Sequence, residues 1–151
     1  MNTSDLFNPV SKGKIYVIVI GCGRLGASIA STVYEQGHDV CMLDKDPDSF
    51  RRLDVSYGGL TRAGDALDLD ALSDISAPQA DCIILATDND NVNLMVSQMA
   101  EAFFHTPRII CRLYDPEKEV ICKSDGITPI CPALLSAREI EKLLTKEGKS
   151  A

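Results

Sequence analysis

The sequence predicts an α/β fold in which a parallel sheet is covered by helices on both faces. Short apolar runs alternate with longer amphipathic segments six times along the chain. Three of the short runs, KIYVIVI, DCIILAT and RIICRLY, are apolar without an in-out alternation, which predicts strands that are buried on both faces. A regular succession of such strands and helices is typical of a doubly wound sheet.

The chain length predicts one domain. With 151 residues, 45% of them hydrophobic, the chain can bury a core of its own but is too short for two ordinary domains. Residues 1–13 have no hydrophobic period and are expected to form a flexible tail, residues 14–145 the folded domain, and residues 146–151 a polar C-terminal tail.

The elements follow one another as strand and helix along the whole domain. The predicted strands are 14–20, 39–44, 59–64, 81–87, 108–114 and 127–131, and the predicted helices are 24–36, 46–56, 65–75, 89–104, 116–124 and 133–146. Local signals support several boundaries. Asp46 and Asp115 each stand before a proline, as capping residues do at a helix start, and Gly37 stands where the first helix should end.

Composition excludes several classes of protein. No apolar run approaches the roughly 20 residues of a membrane-spanning helix, and the N-terminus lacks the apolar core of a signal peptide, so we expect a cytoplasmic protein without direct membrane insertion. The net charge of −7, with scattered Lys and Arg, argues against a nucleic-acid partner.

The six cysteines show neither CxxC spacing nor a zinc pattern, so we expect reduced, mostly buried thiols and no metal site. Cys22 is a special case because it lies near a helix N-terminus, where a thiolate is favoured. The alternative is that Cys22 is only a small side chain that the turn tolerates.

The motif Gly21-Cys22-Gly23-Arg24-Leu25-Gly26 follows the first predicted strand and opens the first predicted helix. This GxGxxG pattern in that context, with Asp44 at the end of the second strand, is typical of Rossmann-type dinucleotide-binding domains. Gly21 would allow the tight turn, Gly23 the approach of a pyrophosphate, and Gly26 close helix packing. The phosphates would lie on the helix N-terminus.

Asp44 is expected to accept hydrogen bonds from ribose hydroxyls and to repel a 2′-phosphate, which favours NAD(H) or an adenosine nucleotide over NADP. Arg24 leaves three alternatives open. It could neutralise a phosphate in its own site, reach a nucleotide held by a neighbouring subunit, or only be solvated in the first helical turn.

The motifs at successive strand ends resemble those of one family. They are GCGRLG, LDKDP, GDALD, ATDNDNVN and CRLYDPE, followed by DGITPICP before the last helix. This series, from Lys14 to about Leu144, resembles the RCK family, also called TrkA-N or KTN, of nucleotide-sensing domains in potassium channels and Trk/Ktr-type potassium transporters. The resemblance implies strand order 3-2-1-4-5-6 and binding of NAD(H), ATP, ADP or AMP.

The resemblance also implies site residues beyond the glycine loop and Asp44 with its neighbour Lys45. Asp65 and Ala66 would lie beside the adenine, Thr87 and Asp88 in the crevice after the fourth strand, and Arg112 near the phosphates or the nicotinamide. Other roles stay open. Asp65 could cap a helix beginning near Leu67, and Thr87 and Asp88 could cap the helix from Asn89. Arg112 could pair with an internal carboxylate, and Asn93 could simply be exposed to solvent without a role in the site.

The resemblance implies a nucleotide-sensing regulatory subunit, a homodimer or larger ring that associates with a membrane-embedded potassium transporter at the inner face of the membrane. The C-terminal regulatory lobe of larger members is expected to be missing, and the last helix could pack on its own sheet or cross to a partner. The alternatives are an NAD-dependent oxidoreductase subunit or fragment and an assembly module without ligand. Against an enzyme, His38 and His105 are predicted at the end of the sheet opposite the crevice, and neither Tyr57 nor Tyr114 forms a Tyr-x-x-x-Lys pair with Lys45 or Lys123.

Overall fold

The computed structural model describes residues 13–124 and 126–149. The strands are β1 (Tyr16–Ile20), β2 (Asp39–Asp44), β3 (Leu60–Ala63), β4 (Cys82–Leu85), β5 (Arg108–Arg112) and β6 (Thr128–Ile130). The α-helices are α1 (Arg24–Glu35), α2 (Leu69–Asp74), α3 (Asp90–Met99), α4 (Glu119–Ser124) and α5 (Pro132–Lys149). Short 3₁₀ helices cover Pro47–Arg52, Ala77–Gln79 and Pro116–Lys118, and a π-helical turn over Ala100–Phe104 continues α3.

The strands form one parallel sheet in the order β3-β2-β1-β4-β5-β6, which confirms the predicted fold class and strand order. β1 lies at the centre, where Ile20 pairs with Leu43 of β2 on one side and with Leu85 of β4 on the other. From β1 the chain adds β2 and β3 outward on one side, and then returns to add β4, β5 and β6 outward on the other side. Open α/β sheets bind ligands at such a switch point, outside the carboxyl ends of the strands.

The central strands are buried on both faces, as their continuous apolar runs predict. Successive residues of β1 enter opposite cores, with Ile18 and Ile20 facing α2 and α3 and Val17 and Val19 facing α1. Each of these side chains is at most 2% exposed. The helices bury the matching positions, which are Ala27, Ala30 and Val33 of α1, Leu72 of α2, and Leu94 and Val96 of α3.

Two predicted helices are shorter in the structure than in the prediction. The segment 46–56 contains only the 3₁₀ helix Pro47–Arg52, and the segment 65–75 contains only α2. The predicted cap at Asp46 is present, since its carboxylate accepts the N–H of Asp48 at 2.9 Å. Only Phe50 and Leu53 of this segment pack against the core, which is too little apolar surface to hold a longer helix.

The boundary signals predicted at Gly37 and Asp115 agree with the structure, whereas most predicted strands are one or two residues too long. Gly37 adopts a φ of +92° directly after α1, and the Asp115 carboxylate accepts the N–H of Glu117 at 3.0 Å. At the C-terminus, α5 continues to Lys149, so helix occupies most of the segment predicted as a polar tail. The predicted N-terminal tail lies, except for Gly13, outside the described residues. Within the described part of the chain, each helix is too short or too polar to cross a bilayer.

The burial of β1 predicts a large stability difference between two apolar truncations. Ile18→Ala should lower the free energy of unfolding by about 2–5 kcal/mol, because it leaves a cavity between the sheet and two helices. Val55→Ala, at a fully exposed position, should change it by less than about 0.5 kcal/mol. Urea unfolding followed by circular dichroism measures both, and equal effects would contradict this account of the core.

Candidate functional site

A crevice of about 730 Å³ opens at the carboxyl ends of the central strands. Every residue of the predicted site except Gly26 lines it. The structure therefore brings together the glycine loop, the β2 end, the β3 end and the ends of β4 and β5. The volume lies within the roughly 300–1,000 Å³ range of small-molecule sites.

Two glycines of the loop are required by the fold itself. Gly21 has a φ of +102°, donates its N–H to the carbonyl of Leu43 at 2.9 Å, and would place a Cβ 2.6 Å from the backbone nitrogen of Thr87. A Cβ on Gly26 would overlap the carbonyl oxygen of Gly21. Gly26 therefore lies behind the loop and lets α1 begin directly against it.

Gly23 differs from both, because the protein does not require a glycine there. Its φ of −84° suits any residue, and a Cβ would meet no protein atom within 4 Å. The space beside Gly23 belongs to the open crevice, so a side chain there would occupy the position of a ligand rather than of protein. This is the pattern expected where a backbone must approach a phosphate closely.

The first turn of α1 contains no anionic or capping side chain of its own. By contrast, the helical segments after β2, β3, β4 and β5 are capped by the side chains of Asp46, Asp68, Asn89 and Asp115. The unpaired N–H groups of the first turn of α1 and its positive dipole end are thus available to an anion in the crevice.

Asp44 joins the end of β2 to the glycine loop. One carboxylate oxygen accepts the N–H of Cys22 at 2.7 Å and the other accepts the N–H of Asp46 at 2.8 Å. These bonds orient the half-buried carboxylate, and each oxygen keeps a further lone pair for a hydroxyl group. The arrangement can accept two hydrogen bonds from a diol at the mouth of the crevice.

Cys22 is a packed thiol rather than a reactive one. Its side chain is 1% exposed and donates to the carbonyl of Ser49 at 3.3 Å. Burial raises the pKa of the Cys22 thiol above its ordinary value, and the nearby Asp44 carboxylate raises it further. Of the two alternatives, the structure therefore favours the small side chain tolerated by the turn.

At the β3 end, Asp65 combines a local role with a place in the crevice wall. Its carboxylate accepts the N–H of Leu67 at 3.0 Å and lies 3.6 Å from the Lys45 ammonium group. α2 itself begins later, with Asp68 as its cap. Both members of the Lys45–Asp65 pair are substantially exposed, so the pair contributes little to stability and leaves both side chains adaptable.

Two arginines stand beside the loop. Arg24 is exposed, lines the crevice, and has no hydrogen-bond or ion-pair partner among the described residues. Arg52 donates to the carbonyl of Cys22 at 3.4 Å and also lines the crevice. The sequence reasoning missed Arg52, although its position in the segment after β2, beside the predicted ribose-binding Asp44, is a signal that could have found it.

Asn93 does not face solvent, so the alternative of a merely solvent-exposed side chain is wrong. Asn93 is 0% exposed, and its amide bridges Thr87, after β4, and Arg112, at the end of β5. The reason is that Asn93 lies one turn into α3, on the side that faces the sheet. Thr87 and Asp88 line the crevice, and the cap of α3 is Asn89, whose side chain accepts the N–H of Val92 at 3.1 Å.

Arg112 has no carboxylate partner in the described part of the chain. Its guanidinium carbon lies 4.6 Å from the ring centroid of Tyr114, and one Nη donates to the Tyr114 hydroxyl at 2.7 Å. Its Nε is buried without a partner among the described residues. An unpartnered buried donor on a half-buried cation is costly, so this end of the crevice fits an anionic group of a ligand.

The histidines lie away from the crevice. His38 immediately precedes β2 and His105 precedes β5 with two residues between them, which places both at the amino edge of the sheet. The Nδ1 atom of His38 accepts the N–H of Ile15 at 3.3 Å. Among the described residues, no three His, Cys, Asp or Glu side chains are close enough together to hold a metal ion.

Comparisons with known proteins agree with the predicted resemblance. Residues 17–132 match the TrkA-N domain family. The Trk system potassium uptake protein TrkA of Streptomyces coelicolor is 30% identical over 134 residues, which cover 89% of this chain and 60% of that protein. The chain thus spans less than two thirds of the length of this relative.

Solved structures show the same fold. The Shewanella denitrificans Kef CTD in its AMP-bound form has a TM-score of 0.75 at 23% identity, covering 88% of this chain and 82% of that one. The GsuK channel bound to NAD has a TM-score of 0.77 at 20% identity, covering 91% of this chain and 24% of that one. At these identities the likeness extends to the fold alone.

The glycine geometry predicts opposite outcomes for two alanine substitutions in the loop. Gly26→Ala should destabilise the protein by about 2 kcal/mol or more, because its Cβ would displace the carbonyl of Gly21. Gly23→Ala should leave the free energy of unfolding within about 1 kcal/mol of wild type, since the backbone and the space accept a methyl group. Chemical denaturation of both variants tests this, and a destabilised Gly23→Ala would refute it.

Proposed function

The chain belongs to the TrkA-N domain family, and on that premise we propose that it is a nucleotide-sensing regulatory subunit of a Trk/Ktr-type potassium uptake system. Its ligand is NAD(H) or an adenine nucleotide such as ATP, ADP or AMP. The observation that carries the proposal is the uncapped N-terminus of α1 at Gly23, beside the oriented carboxylate of Asp44.

The ligand would lie along the carboxyl ends of the strands. Its phosphates bind the free N–H groups at the start of α1, and its ribose hydroxyls bind Asp44. Asp65 and Ala66 flank the adenine, with Lys45 near the ribose. Cys22 and Leu25 contribute the loop backbone, while Thr87, Asp88 and Arg112 line the half of the crevice beyond the phosphates.

Asp44 favours a ligand without a 2′-phosphate. The carboxylate stands where a ribose edge would lie, and its charge would repel a phosphate at that edge. The pair between Lys45 and Asp65 is weak and exposed, so Lys45 retains freedom to contact the ligand.

A regulatory role is supported over a dehydrogenase by the placement of the proton-transfer candidates. A dehydrogenase needs an acid or base within reach of the substrate. His38 and His105 are at the opposite end of the sheet, and the buried thiol of Cys22 is not poised for that role. Tyr114 lines the crevice and lies four residues before Lys118, but the Lys118 ammonium group contacts Asp90 and Asn91, and the Tyr114 hydroxyl accepts from Arg112. The relative named TrkA points the same way.

Regulation requires that the ligand favour one arrangement of the assembly over another. A nucleotide in the crevice would bridge α1, the β2 end and the β4–β5 ends, and the exposed Arg24 could report its phosphates to a neighbouring copy. We propose that this changes how copies pack in a homodimer or ring, and so biases a membrane-embedded potassium transporter at the cytoplasmic face of the membrane.

α5 supports the homo-oligomer. Ile140, Leu143 and Leu144 share one helical face and are 57%, 53% and 66% exposed. The helix therefore does not use this face to pack on its own sheet, which leaves crossing to a partner as the remaining alternative of the two. A second copy would bury these side chains against its own α5.

The ligand assignment predicts a selective binding pattern. Purified protein should bind at least one of NADH, NAD, ATP, ADP and AMP, and should bind NADPH about tenfold more weakly than NADH. Asp44→Ala should weaken NADH binding about tenfold or more and reduce the preference of the protein for NADH over NADPH, because both the hydroxyl acceptor and the repulsive charge are removed. Calorimetric titration measures each affinity.

The controls for this panel are a second loop variant and a distant acid. Gly23→Asp should abolish binding, since it places a carboxylate in the phosphate position. Asp74→Ala, at the exposed end of α2, should bind as wild type does. Failure of wild-type protein to bind any of the nucleotides would refute the proposed function.

The oligomer assignment predicts that two charges on α5 separate the subunits. Ile140→Glu with Leu144→Glu should convert the wild-type dimer or ring to monomer, because burial of two carboxylates is costly. Glu141→Gln, one position away from the apolar face, should not. Size-exclusion chromatography with light scattering gives the mass, and a wild-type protein that remains monomeric at high concentration would contradict the prediction.

A further inference from the structure

The amide of Asn93 is the centre of a closed hydrogen-bond network behind the crevice. Its Nδ2 donates to the carbonyls of Thr87 at 3.1 Å and Arg112 at 2.9 Å. Its Oδ1 accepts the backbone N–H of Thr87 at 3.2 Å and the Thr87 hydroxyl at 2.5 Å. Two donors and two acceptor positions are the full capacity of an amide, so Asn93 is satisfied entirely by these two residues.

This network joins two strand ends that otherwise terminate independently. Thr87 lies just beyond β4, and Arg112 is the last residue of β5. The backbone pairing of β4 with β5 ends at Leu85 and Cys111. Beyond that last pair, the Asn93 side chain holds the two strand ends together. Because Asn93 is fully buried, its hydrogen bonds do not compete with water.

The same helical turn also fixes the residue on which Arg112 stacks. The Asp90 carboxylate accepts the N–H groups of Tyr114 at 2.8 Å and Asp115 at 3.0 Å. Asp90 and Asn93 thus hold the chain on both sides of Leu113 against the first turn of α3. The guanidinium of Arg112, with its unpaired buried Nε, projects from this restrained segment.

We infer that Asn93 is a positioning residue for the half of the ligand that lies beyond the phosphates on α1, acting through Thr87 and Arg112. This inference rests on the proposed nucleotide-binding function. Asn93 itself lies behind the crevice wall and does not line the crevice. Ligands confined to Asp44 and the glycine loop do not depend on it, whereas ligands that extend over the β4 and β5 ends do.

Asn93→Asp separates these roles with almost no change in side-chain size. The carboxylate can still accept from Thr87, but it cannot donate to the carbonyls of Thr87 and Arg112, and it faces both with like partial charge. The end of β5 should shift away from β4, and Arg112 should lose its orientation. Asp44, at the end of β2, lies on the other side of β1 from this change, and ligand contacts to Asp44 and to the N–H groups of α1 should be retained.

The experiment measures dissociation constants for NADH and AMP with wild-type protein and with Asn93→Asp. We expect the NADH constant to rise about tenfold or more, while the AMP constant stays within about twofold. The matched control is Ser97→Ala, one turn further along α3. Ser97 is equally buried, with its hydroxyl donating to the backbone carbonyl of Asn93 at 2.7 Å and a side-chain hydrogen bond to Cys111 of β5, so its truncation leaves the four hydrogen bonds of the Asn93 amide in place. This variant should move neither constant.

A second pair of variants keeps the inference testable if Asn93→Asp does not fold. Asn93→Ala and the similarly sized Asn93→Leu both remove the donated hydrogen bonds without adding a charge, and each should weaken NADH binding relative to AMP. Three results would overturn the inference. They are an equal loss of affinity for NADH and AMP, a selective loss of NADH affinity that Ser97→Ala also produces, and wild-type protein that binds AMP but not NADH. Wild-type protein that binds no nucleotide would instead refute the proposed function, and the inference with it.

Discussion

The close backbone contact at Gly21, where the chain leaves β1 and meets the end of β4, is the constraint on which the rest of the crevice depends. The N–H of Gly21 bonds to the carbonyl of Leu43 on β2, while the N–H of Ala86 bonds to the carbonyl of Ile20. A side chain on Gly21 would separate these three strands. Because β1 is flanked by β2 and β4, opening this contact would open the sheet at its centre.

Around that contact, the protein uses acidic and amide side chains to satisfy its own backbone and leaves one helix end free. The helical segments after β2, β3, β4 and β5 have side-chain caps, whereas α1 has none. Asp44 follows the same pattern, since its carboxylate accepts two backbone N–H groups and still has lone pairs that face the crevice. An anion at α1 would therefore complete a pattern that side-chain caps already satisfy after β2, β3, β4 and β5.

The two halves of the crevice are organised by different means. On the β2 side, a charged side chain at a strand end contacts the glycine loop directly. On the β5 side, a buried amide and a buried carboxylate on α3 hold the backbone from which Arg112 and Tyr114 project. For the proposed ligand, affinity on the first side would depend on direct contact with the Asp44 carboxylate. On the second side it would depend on the backbone that α3 holds in place, so the two sides can be altered separately.

Patterns of short range were sufficient to predict the fold class. Unbroken apolar runs identified the central strands, since strands covered on both faces carry no polar alternation. The spacing of three glycines and Asp44 identified the crevice, because a turn of positive φ, an open helix end and an acid at a strand end are all local requirements. Helix lengths after β2 and β3 were less well predicted, because they depend on how much apolar surface the sheet edge offers.

The sequence by itself thus determined the fold class, the strand order through the family resemblance, and the residues that meet at the crevice. Only the tertiary structure showed the surroundings of Asn93 and Arg112 and the exposure of the apolar face of α5. Asn93 looked like a polar residue on a helix, and its burial followed from the rotation of α3 against the sheet. Whether the half-buried Arg112 has an anionic partner, or whether the apolar face of α5 is covered by another segment, depends on which distant segments lie nearby. No local pattern encodes that.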